Sequence, residues 1–234
     1  MQIFYSKEIT DKECFLDSEE SRHCINVLRH KPGDSITIFD GKGKIFTGNI
    51  ADDNRKRCKI DIISYVTAPA RPYYLHIAIA PTKNIGRYEW FAEKATEIGV
   101  DEITPIICAR SERNIIKNER TEKIVVSAMK QSMNPYIPVI NKAVPINELL
   151  SIDFRGTKCI AHCVDRQKDS PDRVIADARI LLLIGPEGDF TETEIDNALK
   201  SGFKPVTLGP NRLRTETAGV YACAVIQNQF SLKL

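Results

Sequence analysis

The chain of 234 residues lacks any long hydrophobic run. A membrane helix needs about 20 consecutive apolar residues, and no stretch of this sequence approaches that length. The amino terminus reads Met-Gln-Ile-Phe and lacks the basic segment and following apolar segment of a secretory signal peptide. We therefore expect neither a membrane span nor a signal for export.

Regularly spaced cysteine pairs are absent as well. The seven cysteines are odd in number, scattered, and mostly set within apolar runs, whereas a disulfide framework typically shows an even number at regular spacing. Free thiols persist in reducing compartments. The sequence therefore predicts free cysteines and a cytoplasmic location.

An excess of charge of either sign is also missing. Lys and Arg together number 33 and Asp and Glu 31, so the formal net charge is +2. Composition alone gives no sign of nucleic-acid binding, although basic residues gathered on one face can bind phosphates without raising the total. The apolar content of 42% is enough for a buried core in one large domain or two small ones.

Several common site motifs are absent. The sequence contains neither G-x-x-x-x-G-K-[ST] nor G-x-G-x-x-G, which disfavours a polyphosphate or dinucleotide ligand, and no nucleophile elbow marks a Ser-His-Asp site. Cys159, His162 and Cys163 share a predicted strand, where alternation puts the two cysteines on one face and the histidine on the other. No second ligand pair with metal spacing follows, so we predict no metal site.

The sequence does contain two glycine-rich turns, each after an apolar run. Residues 180–184 are all Ile or Leu and lead into Gly-Pro-Glu-Gly, and residues 205–209 lead into a second turn. Such runs predict strands buried on both faces, as in a parallel sheet covered by helices. Ligands bind beyond the carboxyl ends of such strands, where glycines expose backbone groups. The turns therefore predict a site for a small planar ligand.

The paired segments 183–188 and 208–218 resemble the signature of the SPOUT methyltransferases, and more narrowly that of the RsmE family, which methylates N3 of a uridine in small-subunit ribosomal RNA. The resemblance implies an α/β domain with a deep trefoil knot that binds S-adenosylmethionine. It also implies a homodimer, for which the final helix is the stretch to test. The implied partner is small-subunit (16S) rRNA or the assembled 30S subunit.

Residues 1 to about 66 show the short strands and single helix of a small barrel. They resemble the PUA-like domain of the RsmE family, a barrel that commonly binds RNA. A proline-containing linker is predicted at 67–72. We therefore place a PUA-like RNA-binding barrel at 1–70 and a SPOUT methyltransferase domain at 71–234.

The single helix of the barrel is predicted over 18–28, before Pro-Gly at 32–33. Ser18 and Ser21 resemble a helix cap. Helical spacing places Cys24, Val27 and Leu28 on one face.

In the second domain, alternation of strands and helices predicts a largely parallel sheet. The predicted strands are 73–80, 102–107, 157–164 and 180–184, and the predicted helices are 87–98, 121–131, 191–201 and 217–230. Thr191 and Glu194 form a capping box, and Gly99 and Gly202 end their helices. The last helix is expected to bury Val220, Ala224 and Val225.

The resemblance also implies roles for individual residues. The expected cofactor-binding residues are Leu183, Gly185, Pro186, Glu187, Gly188, Leu208, Gly209, Leu213, Thr217 and Ala218. The expected RNA-contacting residues are Arg22, His23, Arg29, Lys31, Lys44 and Lys83. For the cations of the barrel the alternative is a solvated surface side chain, and for His23 it is a packed or surface histidine of the helix.

The chemistry needs groups that handle charge on the base, because uridine N3 carries a proton at neutral pH and must be unpaired. Arg214 could stabilise negative charge on a uracil oxygen, and Glu216 beside it could accept a proton. The alternative for Glu216 is an acid favoured at a helix start. Arg110 could grip phosphate or the base, or be a surface arginine. The sequence identifies no general base.

Some positions depart from the family pattern. Relatives usually carry an acidic residue at Lys130, an arginine at Asn134 and a glycine at Asp189, and Asn211-Arg212 replaces a commoner Arg-Ile. Two alternatives follow. The chain could be a SPOUT enzyme that acts on another RNA position or a ribose hydroxyl, or an RNA-binding assembly factor that has lost catalysis.

Overall fold

The computed structural model of the chain describes residues 2–231, so Met1 and residues 232–234 of the predicted domains lie outside the described residues. Contacts divide the chain into two units. The first comprises Met1–Ala70 and Val126–Ile137, and the second Arg71–Val125 and Pro138–Leu234. The segment Val126–Ile137 therefore joins the first unit, although the sequence placed it within the second domain.

The first unit is a six-stranded sheet with the strand order β1-β4-β5-β6-β3-β2. Its strands are β1 (Ile3–Tyr5), β2 (Glu8–Ile9), β3 (Glu13–Phe15), β4 (Ser35–Phe39), β5 (Lys44–Asp52) and β6 (Lys59–Thr67). Strands β4 and β5 form an antiparallel hairpin. Asp40 Oδ1 closes it by accepting hydrogen bonds from the backbone N–H groups of Lys42 (2.7 Å) and Lys44 (3.0 Å).

Helix α1 (Ser18–Arg22) passes directly into a π-helical turn (His23–Val27). Its cap is Asp17, whose Oδ1 accepts from the backbone N–H groups of Glu19 and Glu20, so the predicted cap at Ser18 and Ser21 is wrong. The predicted face is also wrong, because Val27 is 62% exposed. A π turn holds more residues than an α turn, and this displaces Val27 from the face of Cys24.

The segment that joins the first unit is held there by apolar and polar contacts. Met129 is fully buried in a cluster with Ile3 and Phe39. Lys130 forms an ion pair with Glu20, and Tyr136 donates a hydrogen bond of 3.0 Å to the carbonyl of Ala68. Lys130, which departs from the family pattern, is thus paired with a carboxylate of the first unit.

The second unit is a parallel sheet with the strand order β10-β8-β7-β12-β11-β13, in which β9 pairs with β8. Its strands are β7 (Tyr74–Ile79), β8 (Glu102–Ile107), β9 (Val139–Ile140), β10 (Val144–Pro145), β11 (Thr157–Ala161), β12 (Arg179–Ile184) and β13 (Lys204–Val206). The helices are α2 (Ile85–Ile98), α3 (Asn118–Ser132), α4 (Ile146–Leu150), α5 (Pro171–Val174), α6 (Glu192–Lys200) and α7 (Thr215–Ser231). The residues of α3 from Val126 onward belong to the first unit. The predicted α/β class is confirmed.

Strand β12 is buried on both faces, as its apolar sequence predicts. Ile180, Leu182 and Ile184 belong to one apolar cluster, whereas Leu181 and Leu183 belong to another. Helices α2 and α7 contribute to the first cluster, and α4 and α6 to the second. The strand therefore needs apolar residues at every position, because each face packs against helices.

Helix α7 returns the chain from the sheet edge at β13 to its centre, where it contacts α2, β7 and β12. Such a return is what the predicted knot requires. The buried residues of α7 are Ala222, Cys223 and Ile226. The expected burial of Val220, Ala224 and Val225 is wrong, since Ala224 is exposed and the two valines are only half-buried. No helix among the residues that the structure describes is long and apolar enough to span a membrane.

The contact of α7 with α2 gives a stability prediction. A Cβ atom at Gly219 would lie 2.5 Å from the buried ring of Phe91 and 3.0 Å from Ile79 Cδ1. Gly219→Ala should therefore lower the free energy of unfolding by about 1–3 kcal/mol through overpacking, although alanine favours helices. Urea denaturation measures this. Gly86→Ala in α2 is the control, since the added methyl meets only the end of the Asn84 side chain; equal effects of both changes would contradict the packing argument.

Candidate active site

A cavity of about 570 Å³ lies in the second unit, at the carboxyl ends of β12, β11 and β13. Three chain segments line it. They are residues 161–163 with Lys168, residues 184–187 with Asp189, and residues 206–215 with Ala218. The two glycine-rich turns therefore face the same space, as the sequence predicts for strands that end at one edge of a sheet.

The first turn is held by side chains that bind its backbone carbonyls. Arg110 Nη1 donates to the carbonyls of Gly188 (2.8 Å) and Phe190 (3.4 Å), and Arg212 Nη2 donates to the carbonyl of Glu187 (3.2 Å). Glu187 Oε1 accepts from the backbone N–H of Lys83 at 2.9 Å. These bonds fix the conformation of the turn, and its remaining backbone groups face the cavity.

Asp189 occupies the left-handed region with φ of 62°, where glycine is favoured and aspartate is tolerated. Its Oδ1 accepts from the backbone N–H of Phe190 at 2.8 Å, and its Oδ2 accepts from the backbone N–H of Cys163 at 2.8 Å. The departure from the family's glycine is thus accommodated locally. It also ties the turn after β12 to the segment after β11.

The second turn is joined to the first by the start of α7. Thr215 is buried, and its Oγ1 donates to the carbonyl of Gly185 at 3.1 Å. Gly209 has φ of 115°, and its N–H bonds to Thr207 Oγ1 at 3.3 Å. A Cβ atom at Gly185 would lie 3.1 Å from the ring of Phe190. Gly209 is therefore suited to its left-handed backbone, and Gly185 to the close approach of the Phe190 ring.

The structure places most of the predicted cofactor-binding residues at the cavity. Those that line it are Gly185, Pro186, Glu187, Leu208, Gly209, Leu213 and Ala218. Leu183, Gly188 and Thr217 are not among the lining residues. Leu183 is in the apolar core, Gly188 lies against Arg110, and Thr217 is exposed on α7.

The three predicted catalytic residues have different surroundings. Arg214 lines the cavity. Glu216 is only 6% exposed and does not line it; Oε1 lies 3.7 Å from Arg87 Nε, and Oε2 has no hydrogen-bond partner. Arg110 binds backbone carbonyls of the first turn. Among these residues, Arg214 is therefore the one in position to meet a ligand in the cavity.

His162 was not among the predicted site residues. Strand β11 ends at Ala161, short of the predicted 164, so the alternation argument fails beyond that point, where Cys159 is buried and Cys163 exposed. His162 lines the cavity. Burial lowers its pKa, with Lys168 adding to the effect and Asp189 opposing it. The sequence offered one signal that His162 belongs to the site, namely its position directly after a strand that ends there.

The predicted RNA-contacting residues fall in both units. In the first, Arg22, Arg29 and Lys31 are exposed. His23 is half-buried with Nε2 3.2 Å from Gln2 Nε2, and Lys44 lies 4.2 Å from the centre of the Tyr65 ring. In the second, Lys83 is exposed and pairs with Glu112 at 2.7 Å. Among the described residues, no cluster of His, Cys, Asp or Glu suits a metal ion.

Comparison with known proteins decides the family. A model of the RNA methyltransferase domain matches residues 69–227, and a model of the RNA methyltransferase PUA domain matches residues 16–63. The chain belongs to the RsmE family of RNA methyltransferases. The RsmE enzyme of Neisseria gonorrhoeae, solved bound to S-adenosylmethionine, is 32% identical over 98% of both chains with a TM-score of 0.85.

Two further solved structures are similar over nearly their whole length. A probable rRNA methyltransferase from Porphyromonas gingivalis is 38% identical, with both chains fully covered and a TM-score of 0.90. A putative methyltransferase from Legionella pneumophila, solved with S-adenosylmethionine, is 30% identical over 97% of both chains, with a TM-score of 0.86. The RsmE fold thus extends over both units of this protein.

The two hydrogen bonds of Asp189 give a prediction for this site. Asp189→Ala removes both bonds and leaves a Cβ atom in the left-handed region, so it should lower the free energy of unfolding by about 1–3 kcal/mol. Asp189→Gly loses the same bonds but relieves the strain, and should retain about 1 kcal/mol more stability than the alanine variant. Urea denaturation of the pair tests this, and a glycine variant less stable than the alanine variant would contradict it.

Proposed function

We propose that this protein transfers a methyl group from S-adenosylmethionine to N3 of a uridine in small-subunit ribosomal RNA. The observation that carries the proposal is the cavity between two glycine-rich turns in a chain of the RsmE family. The N. gonorrhoeae relative is named a ribosomal RNA small subunit methyltransferase E, and its structure holds S-adenosylmethionine. The RNA-binding PUA match in the first unit supports an RNA substrate.

The residues at the cavity fit this cofactor. Backbone groups of the two turns can bind the edges of a planar base, and Leu208, Leu213 and Ala218 supply apolar surface. Buried polar atoms without partners lie here too, namely both ring nitrogens of His162 and Glu187 Oε2. When bound, S-adenosylmethionine supplies a sulfonium methyl group to a nucleophile in line with it.

The protein's task in such a displacement is alignment and exclusion of water. The bonds from Arg110, Arg212 and Thr215 to turn carbonyls fix the cradle before any ligand arrives. Because the site is already ordered, less of the binding free energy is lost to ordering the protein when a ligand binds. The fixed turns thus contribute to rate by holding the reacting atoms in place.

The protein must also favour the deprotonated base. Loss of the N3 proton places negative charge on the uracil oxygens, and a cation near them stabilises that charge. Arg214 lines the cavity and can supply the cation. Glu216 is paired with Arg87 away from the lining surface. In this proposal Arg214 contacts the base, and Glu216 holds the start of α7.

RNA binding is assigned to both units. Arg22, Arg29 and Lys31 in the first unit and Lys83 in the second are exposed cations that can contact phosphate. Seven free cysteines, six of them buried, fit a protein of the reducing cytoplasm, where ribosomal subunits are found. We propose the assembled 30S subunit as the substrate.

We also propose that the protein acts as a homodimer through the exposed face of α7. Tyr221 is 46% exposed, and Ala224 is exposed beside the half-buried Val220 and Val225. An unpaired apolar surface of this kind is typical of an interface. The family resemblance is the other support for this assignment.

A charge on this face tests the dimer. Ala224→Glu should convert a dimer into a monomer in light scattering, because it places an unpaired carboxylate in an apolar interface. Thr193→Glu is the control, since Thr193 is exposed on α6, which packs on the opposite face of the sheet from α7. A wild-type protein that is monomeric would contradict the proposal.

Methylation of ribosomal subunits tests the function itself. We expect purified protein with labelled S-adenosylmethionine to place label in N3-methyluridine when 30S subunits come from a strain that lacks the gene. Arg214→Ala should lower the rate by about 100-fold or more, as for loss of a group that stabilises developing charge. Arg155→Ala is the control, because Arg155 is exposed before β11, at the opposite edge of the sheet.

The other outcomes discriminate among the alternatives. Label in another nucleoside would keep the methyltransferase and reject the N3 specificity. Binding of cofactor without any label, on subunits or on naked rRNA, would favour an assembly factor without catalysis. Label on naked rRNA but not on subunits would overturn the assignment of the 30S substrate.

A further inference from the structure

His162 is a lining residue of the cavity and follows the central one of the three strands that end there. It directly follows Ala161, whose neighbours in the sheet are Ile184 of β12 on one side and Val206 of β13 on the other. The chain at residue 162 therefore emerges between the two glycine-rich turns. The side chain is 7% exposed and lines the cavity.

Both ring nitrogens of His162 lack a hydrogen-bond partner in the protein. Buried polar side chains are nearly always paired, so an unpaired imidazole at a ligand cavity indicates a partner that arrives with the ligand. The nearby carbonyls are already engaged, because Lys168 Nζ donates to the carbonyls of His162 (3.2 Å) and Val164 (2.6 Å).

The backbone around His162 is fixed from both sides. Lys168 binds its carbonyl, and Asp189 Oδ2 accepts from the next N–H, that of Cys163, at 2.8 Å. The backbone that carries the ring is thus held by side chains that make no bond to the ring itself. A residue held in this way, with its polar atoms left free, is preorganised for binding.

The ionisation state of the ring restricts its partner. Burial is the main cause of its lowered pKa, Lys168 and Arg166 act in the same direction, and Asp189 and the Val164 backbone oppose it. The ring is therefore neutral at pH 7, with one donor nitrogen and one acceptor nitrogen. A neutral ring suits an uncharged ligand group that can donate and accept a hydrogen bond, whereas the cations Arg212 and Arg214 of the lining suit a carboxylate.

We propose that His162 is a cofactor-binding residue that hydrogen-bonds the adenosine moiety of S-adenosylmethionine. The inference rests on the proposed function, since it assumes that this cofactor occupies the cavity. It adds a side-chain contact to a site otherwise described by its backbone turns. It also explains why the fold keeps an unpaired buried imidazole at the cavity.

Calorimetry with S-adenosylhomocysteine tests the contact. His162→Phe should raise Kd by about three- to tenfold, the loss expected for one neutral hydrogen bond. The Tm of the unliganded variant should be equal to or above that of the wild type, because the change removes an unpaired buried polar group. His162→Gln should recover part of the affinity. His30→Phe, in the first unit, should leave Kd unchanged.

A second ligand locates the contact on the cofactor. In competition experiments, His162→Phe should weaken 5′-methylthioadenosine, which lacks the amino-acid end, by the same factor as S-adenosylhomocysteine. Weakening of S-adenosylhomocysteine alone would overturn the assignment to adenosine. An unchanged Kd with a lowered Tm would overturn the inference as a whole and make His162 a packing residue.

A direct measurement on the wild type does not depend on how the variants fold. The chain has four histidines, so the ring nitrogens of His162 can be assigned in ¹H–¹⁵N spectra by comparison with the variant. Addition of S-adenosylhomocysteine should shift one of them as a hydrogen bond forms, and an unmoved pair of signals in a saturated complex would contradict the inference. Failure of the wild type to bind S-adenosylhomocysteine would instead reject the proposed function.

Discussion

The hydrogen bond from Thr215 Oγ1 to the carbonyl of Gly185 joins the two turns on which the site depends. Strand β12 delivers the first turn to the sheet edge, and β13 with the following loop delivers the second. Helix α7 returns to the centre of the sheet with its first residue, Thr215, bonded to the first turn. The cavity is therefore a consequence of the chain path, because the same return that packs α7 on α2 and β7 brings the turns together.

The site combines rigid backbone with unpaired polar atoms. Arg110, Arg212 and Asp189 bind the backbone of the turns, whereas both ring nitrogens of His162 and Oε2 of Glu187 are buried at the cavity without a partner. An unpaired buried polar group destabilises a protein by about 1–3 kcal/mol. Because these atoms lie around one cavity, this region is less stable than it would be with every polar atom paired, and we infer that the unpaired atoms serve ligand binding. The two apolar clusters of the sheet supply the stability of the unit.

Sequence reasoning succeeded where the structure is set by local patterns. The apolar run of β12 and the capping box of Thr191 and Glu194 were both predicted and found. It failed where the conformation depends on contacts between residues that are far apart in the sequence. Neither the bonds of Asp189 to the segment after β11 nor the ion pair of Lys130 with Glu20 can be read from spacing. His162 was overlooked because its strand ends three residues earlier than alternation suggests.

Hydrogen exchange with and without S-adenosylhomocysteine tests the central claim most directly, since it reports on every part of the chain at once. The account predicts slower exchange confined to the three segments that line the cavity, namely residues 161–168, 184–190 and 206–218. Protection of the first unit alone, or of no segment at a saturating concentration of the ligand, would contradict the assignment of the cavity as the cofactor site.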